Sequence, residues 1–211
     1  MHDKIRLLLV DDHAVVRNGY RRLLEAQSDL IVVGEAASAR EATECYRALA
    51  PDVMVLDIGL PDVGGVELIS RLVQRDSGAR ILVFTMHRDP IFVAQAMRAG
   101  AIGYVTKSSP PEVMVEAVYQ VAARRQIISP DVSSDLALSL LNQSIDPVVA
   151  LSPREFEILQ MLLEGCDAGE IAGRLSLSAK TVQNYHYQIK IKLGVRNDIE
   201  LARIAMKFGL I

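Results

Sequence analysis

Val53-Met54-Val55-Leu56-Asp57 is the stretch that decides the fold, because four apolar residues lead directly into a carboxylate. A continuous apolar run of this length predicts a strand buried on both faces, as in a parallel sheet. Ile58-Gly59-Leu60-Pro61 follows, and its glycine and proline predict a turn directly after the strand. Ligands of open α/β sheets bind beyond the carboxyl ends of the strands, so Asp57 stands where chemistry is expected. Taken alone, the aspartate is better explained as a strand-end or turn residue.

Strand and helix patterns alternate on both sides of this stretch, over residues 1–123. Besides Val53–Asp57, apolar runs predict four more strands, at Leu7–Val10, Leu30–Val33, Arg80–Thr85 and Ile102–Val105. Apolar residues at helical spacing fill the segments between them, with start and stop signals such as the Ser38–Glu41 capping pattern. This alternation predicts an α/β doubly wound five-stranded parallel sheet with helices on both faces.

Chemically distinctive residues stand at the ends of these strands, on the one edge where a parallel sheet gathers them. They are Asp11, Asp12, Asp57, Thr85 and Lys107. Three crowded carboxylates repel one another unless a cation neutralises them, and oxygen ligands suit Mg²⁺. A lysine and a hydroxyl opposite such a metal suit a phosphoryl group on Asp57, since carboxylates form acyl phosphates. The set therefore predicts a phosphoacceptor at Asp57 within a Mg²⁺ site.

The same ordered set resembles the receiver domain of two-component response regulators over about the first 125 residues, including Leu60-Pro61 and Gly64-Gly65. The resemblance implies a flavodoxin-like receiver whose Asp57 takes its phosphoryl group from a phosphohistidine on a sensor histidine kinase. It also implies that the Gly59 backbone carbonyl joins Asp12 and Asp57 in holding Mg²⁺, with Asp11 contributing through a water molecule.

Three positions match the receiver resemblance at its switch. Thr85 stands where receivers carry their switch hydroxyl, Lys107 where they carry the phosphoryl-binding lysine, and Tyr104 where they carry the switch aromatic. As a strand residue, Tyr104 is equally well explained as a core aromatic. His13, which follows the acidic pair, is expected to start a helix as a neutral residue rather than to act as a ligand or base.

The composition excludes several classes of protein. The chain has 211 residues, of which 50% are hydrophobic, so it can form one large domain or two small ones. Its net charge of −3 predicts no general attraction to nucleic acid or membranes. Cys45 and Cys166 lie far apart without metal-ligand spacing, which predicts reduced thiols in a cytoplasmic protein. No apolar run approaches the ~18 residues of a membrane span, so no membrane partner is expected.

The pattern loosens after residue 125, which predicts a linker. Asn142-Gln143-Ser144 is a typical linker sequence, and the charged residues of this stretch, Asp131, Asp135 and Asp146, are all acidic. Their charge either keeps the linker away from DNA phosphates or serves solubility alone. We therefore divide the chain into a first domain at 1–125, a linker at 126–147 and a second domain at 148–211.

Helix start signals recur at short intervals in the second domain. Ser152–Glu155 and Asp167–Glu170 are capping patterns, while Ser178 and Asn197 are N-cap residues for two further helices. The second and third helices are joined by the tight turn Ser176-Leu177-Ser178. This arrangement predicts an all-α four-helix domain that contains a helix-turn-helix.

The third of these helices carries a local positive charge. Residues 178–196 contain four basic side chains and no acidic one. Asparagine and glutamine can contact adenine edges, and lysine can contact phosphates or guanine, so the second helix of a helix-turn-helix is expected to read DNA. The candidate DNA contacts are Lys180, Thr181, Gln183, Asn184, Tyr187, Gln188, Lys190 and Lys192.

This second domain resembles the LuxR-type output domain. The resemblance rests on Leu151–Glu155, Glu170-Ile171-Ala172, Lys180-Thr181-Val182 and Lys192-Leu193-Gly194-Val195. Together with the receiver, the whole chain resembles a NarL/FixJ-class response regulator. Where members often carry histidine, this chain has Tyr185, so the individual base contacts carried over from the family are less secure than the helix itself.

The resemblance implies that phosphorylation controls sequence-specific binding to double-stranded DNA, and thereby transcription. It implies a homodimer when the protein is phosphorylated or bound to DNA, with RNA polymerase as a candidate partner. A small apolar face on the last predicted helix is suited to pairing with its twin or to core packing, and consists of Ile199, Ala202, Ala205 and Met206.

Two alternative functions stay open at this point. Haloacid-dehalogenase-type phosphatases also form an aspartyl phosphate, but they need a second acid two residues after the nucleophile, where this chain has Gly59. We therefore do not expect an enzyme that turns over an outside substrate. The other alternative is an orphan regulator that binds DNA without phosphorylation, against which the complete acidic set argues.

Overall fold

A parallel sheet with helices on both faces forms the first part of the computed structural model, which describes residues 4–133, 147–208 and 210. The six strands found among these described residues have the order β2-β1-β3-β4-β5-β6. They are β1 (Ile5–Val10), β2 (Leu30–Ala36), β3 (Val53–Leu56), β4 (Ile81–Thr85), β5 (Gly103–Thr106) and β6 (Ile127–Ile128). The helices between them are α1 (Ala14–Glu25), α2 (Ala39–Leu49), α3 (Gly65–Arg75), α4 (Pro90–Ala99) and α5 (Pro111–Ala122).

Strand β3 shows why the apolar run specifies a central strand. All four of its residues are buried, and successive side chains point into two different apolar layers. Met54 and Leu56 pack into the layer that also contains residues of α3 and α4, while Val53 and Val55 pack into the layer with residues of α5. A strand that is covered on both sides cannot alternate apolar with polar residues. The predicted doubly wound parallel sheet is confirmed.

The predicted strand number was wrong by one, because the sheet continues beyond residue 125. Strand β6 pairs in parallel with β5, and the Ser129 backbone N–H donates to the Tyr104 carbonyl at 2.9 Å. Ser129 and Val132 are fully buried. A two-residue strand followed by Pro130 carries too short a pattern to be recognised from sequence. Residues 127–133 therefore pack against the sheet.

Four α-helices follow in the second domain: α6 (Pro153–Leu163), α7 (Ala168–Leu175), α8 (Ala179–Leu193) and α9 (Asp198–Lys207). A short 3₁₀ helix, Pro147–Ala150, precedes them. Both predicted capping boxes are formed, at the starts of α6 and α7, and they satisfy backbone N–H groups that a helix start leaves free. The predicted helical domain with its helix-turn-helix at α7–α8 is confirmed.

The two domains touch through α3 and α4 on one side and the start of the helical domain on the other. The rings of Phe92 and Phe156 meet edge to face with centroids 5.4 Å apart. The buried Gln95 amide donates to the Val148 carbonyl at 2.7 Å. Helices α3 and α4 follow the strand ends that carry the predicted site, so the domain contact lies beside that site.

Two remaining sequence predictions concern the ends and connections of the domains. Among the described residues, no helix has both the length and the apolar character needed to cross a bilayer. The predicted linker at 126–147 falls mostly on residues outside the described ranges, as do Asp135 and Asp146. The boundaries at 125 and 148 stay predictions.

Candidate functional site

The acidic residues of the site leave the sheet at adjacent strands. Asp11 and Asp12 follow β1, and Asp57 follows β3, which pairs with β1 in register. The Asp57 backbone N–H donates to the Val10 carbonyl at 2.8 Å, which continues the ladder to the acidic edge. One potential ligand atom from each of Asp11, Asp12, His13 and Asp57 lies within 4.8 Å of the others. The parallel topology thus brings together carboxylates that are 46 residues apart.

Lys107 joins two of these carboxylates. Its Nζ donates to Asp11 Oδ2 at 2.5 Å and also to Asp57 Oδ2. Burial by itself lowers the pKa of Lys107, but the two carboxylates outweigh it and hold the pKa above its ordinary value. The Lys107 backbone N–H donates to the Thr85 carbonyl at 2.7 Å, which fixes the start of the loop after β5. The Lys107 ammonium, whose charged form the two carboxylates favour, therefore faces the predicted phosphoacceptor.

Thr85 and Tyr104 both contact His87 in the loop after β4. The His87 N–H donates to Thr85 Oγ1 at 3.5 Å, and the Tyr104 hydroxyl donates to the His87 carbonyl at 2.9 Å. Tyr104 is fully buried, and this burial raises the pKa of its phenol. The His87 ring stacks on Phe92 with centroids 4.2 Å apart. Tyr104 is therefore a core aromatic that also hydrogen-bonds to the loop directly after Thr85.

Hard oxygen donors dominate the acidic cluster, which fits a divalent cation such as Mg²⁺. Asp57 presents Oδ2 to Lys107, while its Oδ1 accepts the Gly59 N–H at 3.1 Å. This bond holds Gly59 beside the carboxylate, at the position where a carbonyl ligand was predicted. Asp12 is exposed and Asp11 is buried, so the cluster opens to solvent on one side.

Two basic residues border the cluster through contacts that the sequence did not indicate. The Arg17 guanidinium donates to the Asp11 backbone carbonyl and, through Nε, to Glu35 at 3.3 Å. His13 is the N-cap residue of α1, as expected, but its Nδ1 also lies 2.8 Å from Asp12 Oδ1. A basic residue in the first turns of the helix that follows an acidic pair was the available signal for Arg17.

A second candidate site lies on α8. Its buried face consists of Val182, Ile189 and Leu193, which leaves the opposite face to solvent. Tyr187 is 62% exposed, and the apolar Ile191, which sequence reasoning did not single out, is 55% exposed. The predicted contacts that are exposed on this helix are Lys180, Gln183, Asn184, Tyr187, Gln188 and Lys192. This polar face has the residue types that read a major groove.

Three of the predicted DNA contacts already make bonds within the domain. Thr181 Oγ1 lies 2.8 Å from the hydroxyl of the N-cap residue Ser178. Lys190 Nζ donates to Asp198 at 3.1 Å, and Lys192 Nζ donates to Glu155 Oε2 at 2.7 Å. These side chains tie α8 to its own domain, so the unpaired polar face is narrower than the sequence indicated.

Comparisons with protein families match both parts of the chain. The model of the response regulator receiver domain matches residues 7–119. The model of bacterial regulatory proteins of the luxR family matches residues 149–205. The matched ranges coincide with the parallel sheet and with the four-helix domain.

Individual relatives match along almost the whole chain. The response regulator UvrY of Escherichia coli is 36% identical over 208 residues, covering 98% of this chain and 95% of its own. The response regulator GacA of Pseudomonas aeruginosa is 37% identical over 209 residues, covering 98% of each. Among solved structures, RcsB of Salmonella enterica serovar Typhimurium, bound to a promoter in the presence of phosphomimetic BeF₃⁻, has a TM-score of 0.74 at 27% identity and covers 96% of this chain and 98% of its own.

Proposed function

The chain belongs to the two-component response regulators that join a receiver domain to a LuxR-type regulatory domain, and on that premise we propose that a phosphoryl group on Asp57 controls DNA binding by α8. The observation that carries this proposal is the placement of Lys107, whose ammonium contacts both Asp11 and Asp57. A lysine that hydrogen-bonds to the acceptor and to a second carboxylate can also bind the negatively charged oxygens of a phosphoryl group on that acceptor. A sensor histidine kinase is the proposed donor.

The chemistry is the transfer of a phosphoryl group from a phosphohistidine to the Asp57 carboxylate. An Asp57 carboxylate oxygen forms a bond to phosphorus while the bond from phosphorus to the donor histidine nitrogen breaks, and that nitrogen keeps the electron pair. Lys107 then neutralises a phosphoryl oxygen, and the Thr85 hydroxyl donates to another. Asp11, Asp12, Asp57 and the Gly59 carbonyl would hold Mg²⁺, which when bound supplies neutralisation of charge on the transferred group.

A physical route connects this site to the DNA-binding domain. Thr85 ends β4 and His87 lies in the loop that follows it. The Tyr104 hydroxyl bonds to the His87 carbonyl, and the His87 ring stacks on Phe92. Phe92 in turn meets Phe156 of α6. We propose that movement of Thr85 toward a phosphoryl group shifts this loop and weakens the contact between the domains. Such a shift is a local electrostatic change with a distant readout.

The proposed partner of α8 is double-stranded DNA, read by its exposed polar face. Two copies would bind paired half-sites, as helix-turn-helix dimers do. The exposed Ile199 and Met206, seven residues apart on α9, support the pairing face predicted from the sequence, whereas Ala205 is buried in the core and Ala202 is half-buried. RNA polymerase follows as a partner in transcription control. We propose no turnover of an outside substrate.

Acyl-phosphate formation tests the proposal directly. The full-length protein is incubated with Mg²⁺ and acetyl phosphate, and its intact mass is measured beside that of Asp57→Asn. One added phosphoryl group in the wild type, absent from the variant, is the expected result. DNA sites selected from a random pool are then titrated with both forms, and phosphorylation is expected to tighten binding. Equal affinity of labelled wild type and Asp57→Asn would favour the orphan regulator instead.

A further inference from the structure

The carboxylate of Asp131 is held by hydroxyl groups from the loop that carries Lys107. Thr106 Oγ1 donates to Asp131 Oδ2 at 2.5 Å, and Ser109 Oγ donates to Oδ1 at 3.2 Å. Ser108 Oγ reaches Oδ2 at 3.5 Å. The side chain of Asp131 is 22% exposed, and Thr106 is fully buried. The residues on both sides of Lys107 in the sequence are therefore tied to one carboxylate.

The same carboxylate also faces the other loop of the candidate site. Arg88 Nη2 lies 3.7 Å from Asp131 Oδ2, and Arg88 belongs to the segment that follows Thr85. Although burial alone would raise it, the hydroxyl groups around the carboxylate lower the pKa of Asp131. This direction agrees with an ionised acceptor, which is the form that hydroxyl donors prefer.

The backbone beside Asp131, near the start of the predicted linker at 126–147, is anchored to the sheet. Strand β6 and the buried Ser129 anchor the backbone just before it, through the bond from the Ser129 N–H to the Tyr104 carbonyl. The Ser129 carbonyl accepts the N–H groups of Val132 and Ser133, so this backbone turn does not depend on the Asp131 side chain. The carboxylate is therefore available to hold the neighbouring loop.

We propose that Asp131 is a positioning residue for phosphoryl chemistry at Asp57, because it holds the Thr106–Ser109 loop so that the Lys107 ammonium stays between Asp11 and Asp57. The proposal rests on the function assigned to Asp57 above. The proposal also couples the start of the linker to the Asp57 site through hydrogen bonds. A shift of Asp131 would loosen the Thr106–Ser109 loop, and a movement of Lys107 would in turn displace Asp131.

A double-mutant cycle separates positioning from a merely structural role. The rate of Asp57 labelling by acetyl phosphate and the half-life of the label are measured for wild type, Asp131→Ala, Lys107→Ala and the double variant. We expect Asp131→Ala to lower the rate of Asp57 labelling about three- to tenfold when Lys107 is present. In the Lys107→Ala background, the same substitution should have no further effect on that rate. Asp131→Asn, which keeps one oxygen acceptor, should fall between wild type and Asp131→Ala.

Asp76→Asn is the matched control. Asp76 also accepts a hydroxyl, from Tyr46 at 2.8 Å, and a backbone N–H from Gly78 at 2.8 Å, but it ends α3 away from the site. Labelling within about twofold of wild type is expected for it, as for surface substitutions away from a site. An unchanged rate in Asp131→Ala, or an equal change with and without Lys107, overturns the proposal.

A second readout keeps the test independent of the proposed function. Lys107 has a side chain only 8% exposed, so a small acylating reagent should modify it slowly in the wild type and several times faster in Asp131→Ala, with Lys180 as the internal standard. Absence of label in the wild type would overturn the function proposed for Asp57. Equal acylation of Lys107 in wild type and Asp131→Ala would overturn the positioning role whether or not label forms.

Discussion

The Gly64 backbone N–H donates to Glu157 Oε1 at 2.5 Å, which joins residues 93 apart in the sequence. Gly64 is the N-cap residue of α3, and its own backbone N–H, one of the groups that a helix start leaves free, is satisfied by a carboxylate of the second domain. A Cβ at position 64 would lie 3.3 Å from Glu157 Cγ, which explains why a glycine suits the contact. The helix that follows the Asp57 loop is thus capped by the DNA-binding domain.

The first prediction concerns the pH dependence of this contact. Glu157 is 5% exposed, and its burial raises its pKa above the ordinary 4.5, against the opposing bonds from Gly64 and Arg154. A raised pKa in the folded state contributes stability that is present below the ordinary pKa and is lost as pH rises through the raised value. We therefore expect wild type to gain stability relative to Glu157→Gln as pH falls from neutral toward 4.5. Urea unfolding of both proteins across this range measures it, with the exposed Glu112→Gln as control; parallel curves for wild type and Glu157→Gln would contradict it.

The second prediction concerns the aromatic contact between the domains. Phe92→Ala removes the partner of Phe156 and should cost about 3–5 kcal/mol of stability, as large-to-small changes of buried phenylalanine do. It should also enlarge the radius of gyration in small-angle scattering, because the domains part more readily. Phe84→Ala is the matched control, since Phe84 is equally buried but packs against Tyr20 within the receiver. Equal radii for the two variants would argue that Phe92 serves the receiver core alone.

The third prediction concerns the cation within the acidic cluster. Lys107→Ala leaves Asp11 and Asp57 buried without their ammonium partner, and removal of one partner from a buried pair costs about 3–5 kcal/mol. Mg²⁺ should restore more stability to this variant than it adds to wild type, because it replaces the lost positive charge. Thermal unfolding with Mg²⁺ and with a chelator measures both effects. Lys180→Ala, on the exposed face of α8, should shift neither curve; an equal Mg²⁺ response in wild type and Lys107→Ala would count against the site.

The fourth prediction separates two lysines on α8. Lys180 is exposed at the helix start, so Lys180→Ala should weaken DNA binding and reduce the salt slope of the affinity by about 1. Lys192 donates to Glu155 of the α6 capping box. Lys192→Ala should therefore lower the free energy of unfolding of the domain, and it should change the salt slope less than Lys180→Ala does. Titrations of selected DNA at several salt concentrations, beside urea unfolding, measure both. The assignment is wrong if the two variants have the same salt slope.

The grouping of the site residues at one edge of the sheet was predictable from the sequence, because the alternating order of strands and helices is enough to predict a parallel sheet. Once β1, β3 and β5 were placed by their apolar runs, Asp11, Asp57 and Lys107 had to meet at one edge. Their contact was therefore accessible from the sequence, although they are separated by 46 and 50 residues. Helix starts such as Ser152 were equally accessible, because a capping box is a local pattern.

Contacts that depend on a specific placement of side chains were not predictable. The charge of Asp131 suggested solubility or repulsion from DNA, since nothing in its neighbourhood names Thr106 and Ser109 as its partners. The bond between Gly64 and Glu157 depends on how two domains meet, which no periodic pattern encodes. Lys190 and Lys192 were counted as free charges, because their acidic partners come from a different helix in each case.

Polar groups provide several of the contacts between the two domains. The Gln95 amide and the Arg98 guanidinium both donate to backbone carbonyls of the 3₁₀ helix Pro147–Ala150, and Glu157 accepts from Gly64. Water can take over each of these polar bonds when the domains separate, so the cost of parting them falls mainly on the apolar contacts, such as that between Phe92 and Phe156. The contact between the domains can therefore open and close reversibly. A coupling free energy of about 1–3 kcal/mol between the phosphoacceptor and this contact is enough to change the fraction of molecules in which the domains are apart.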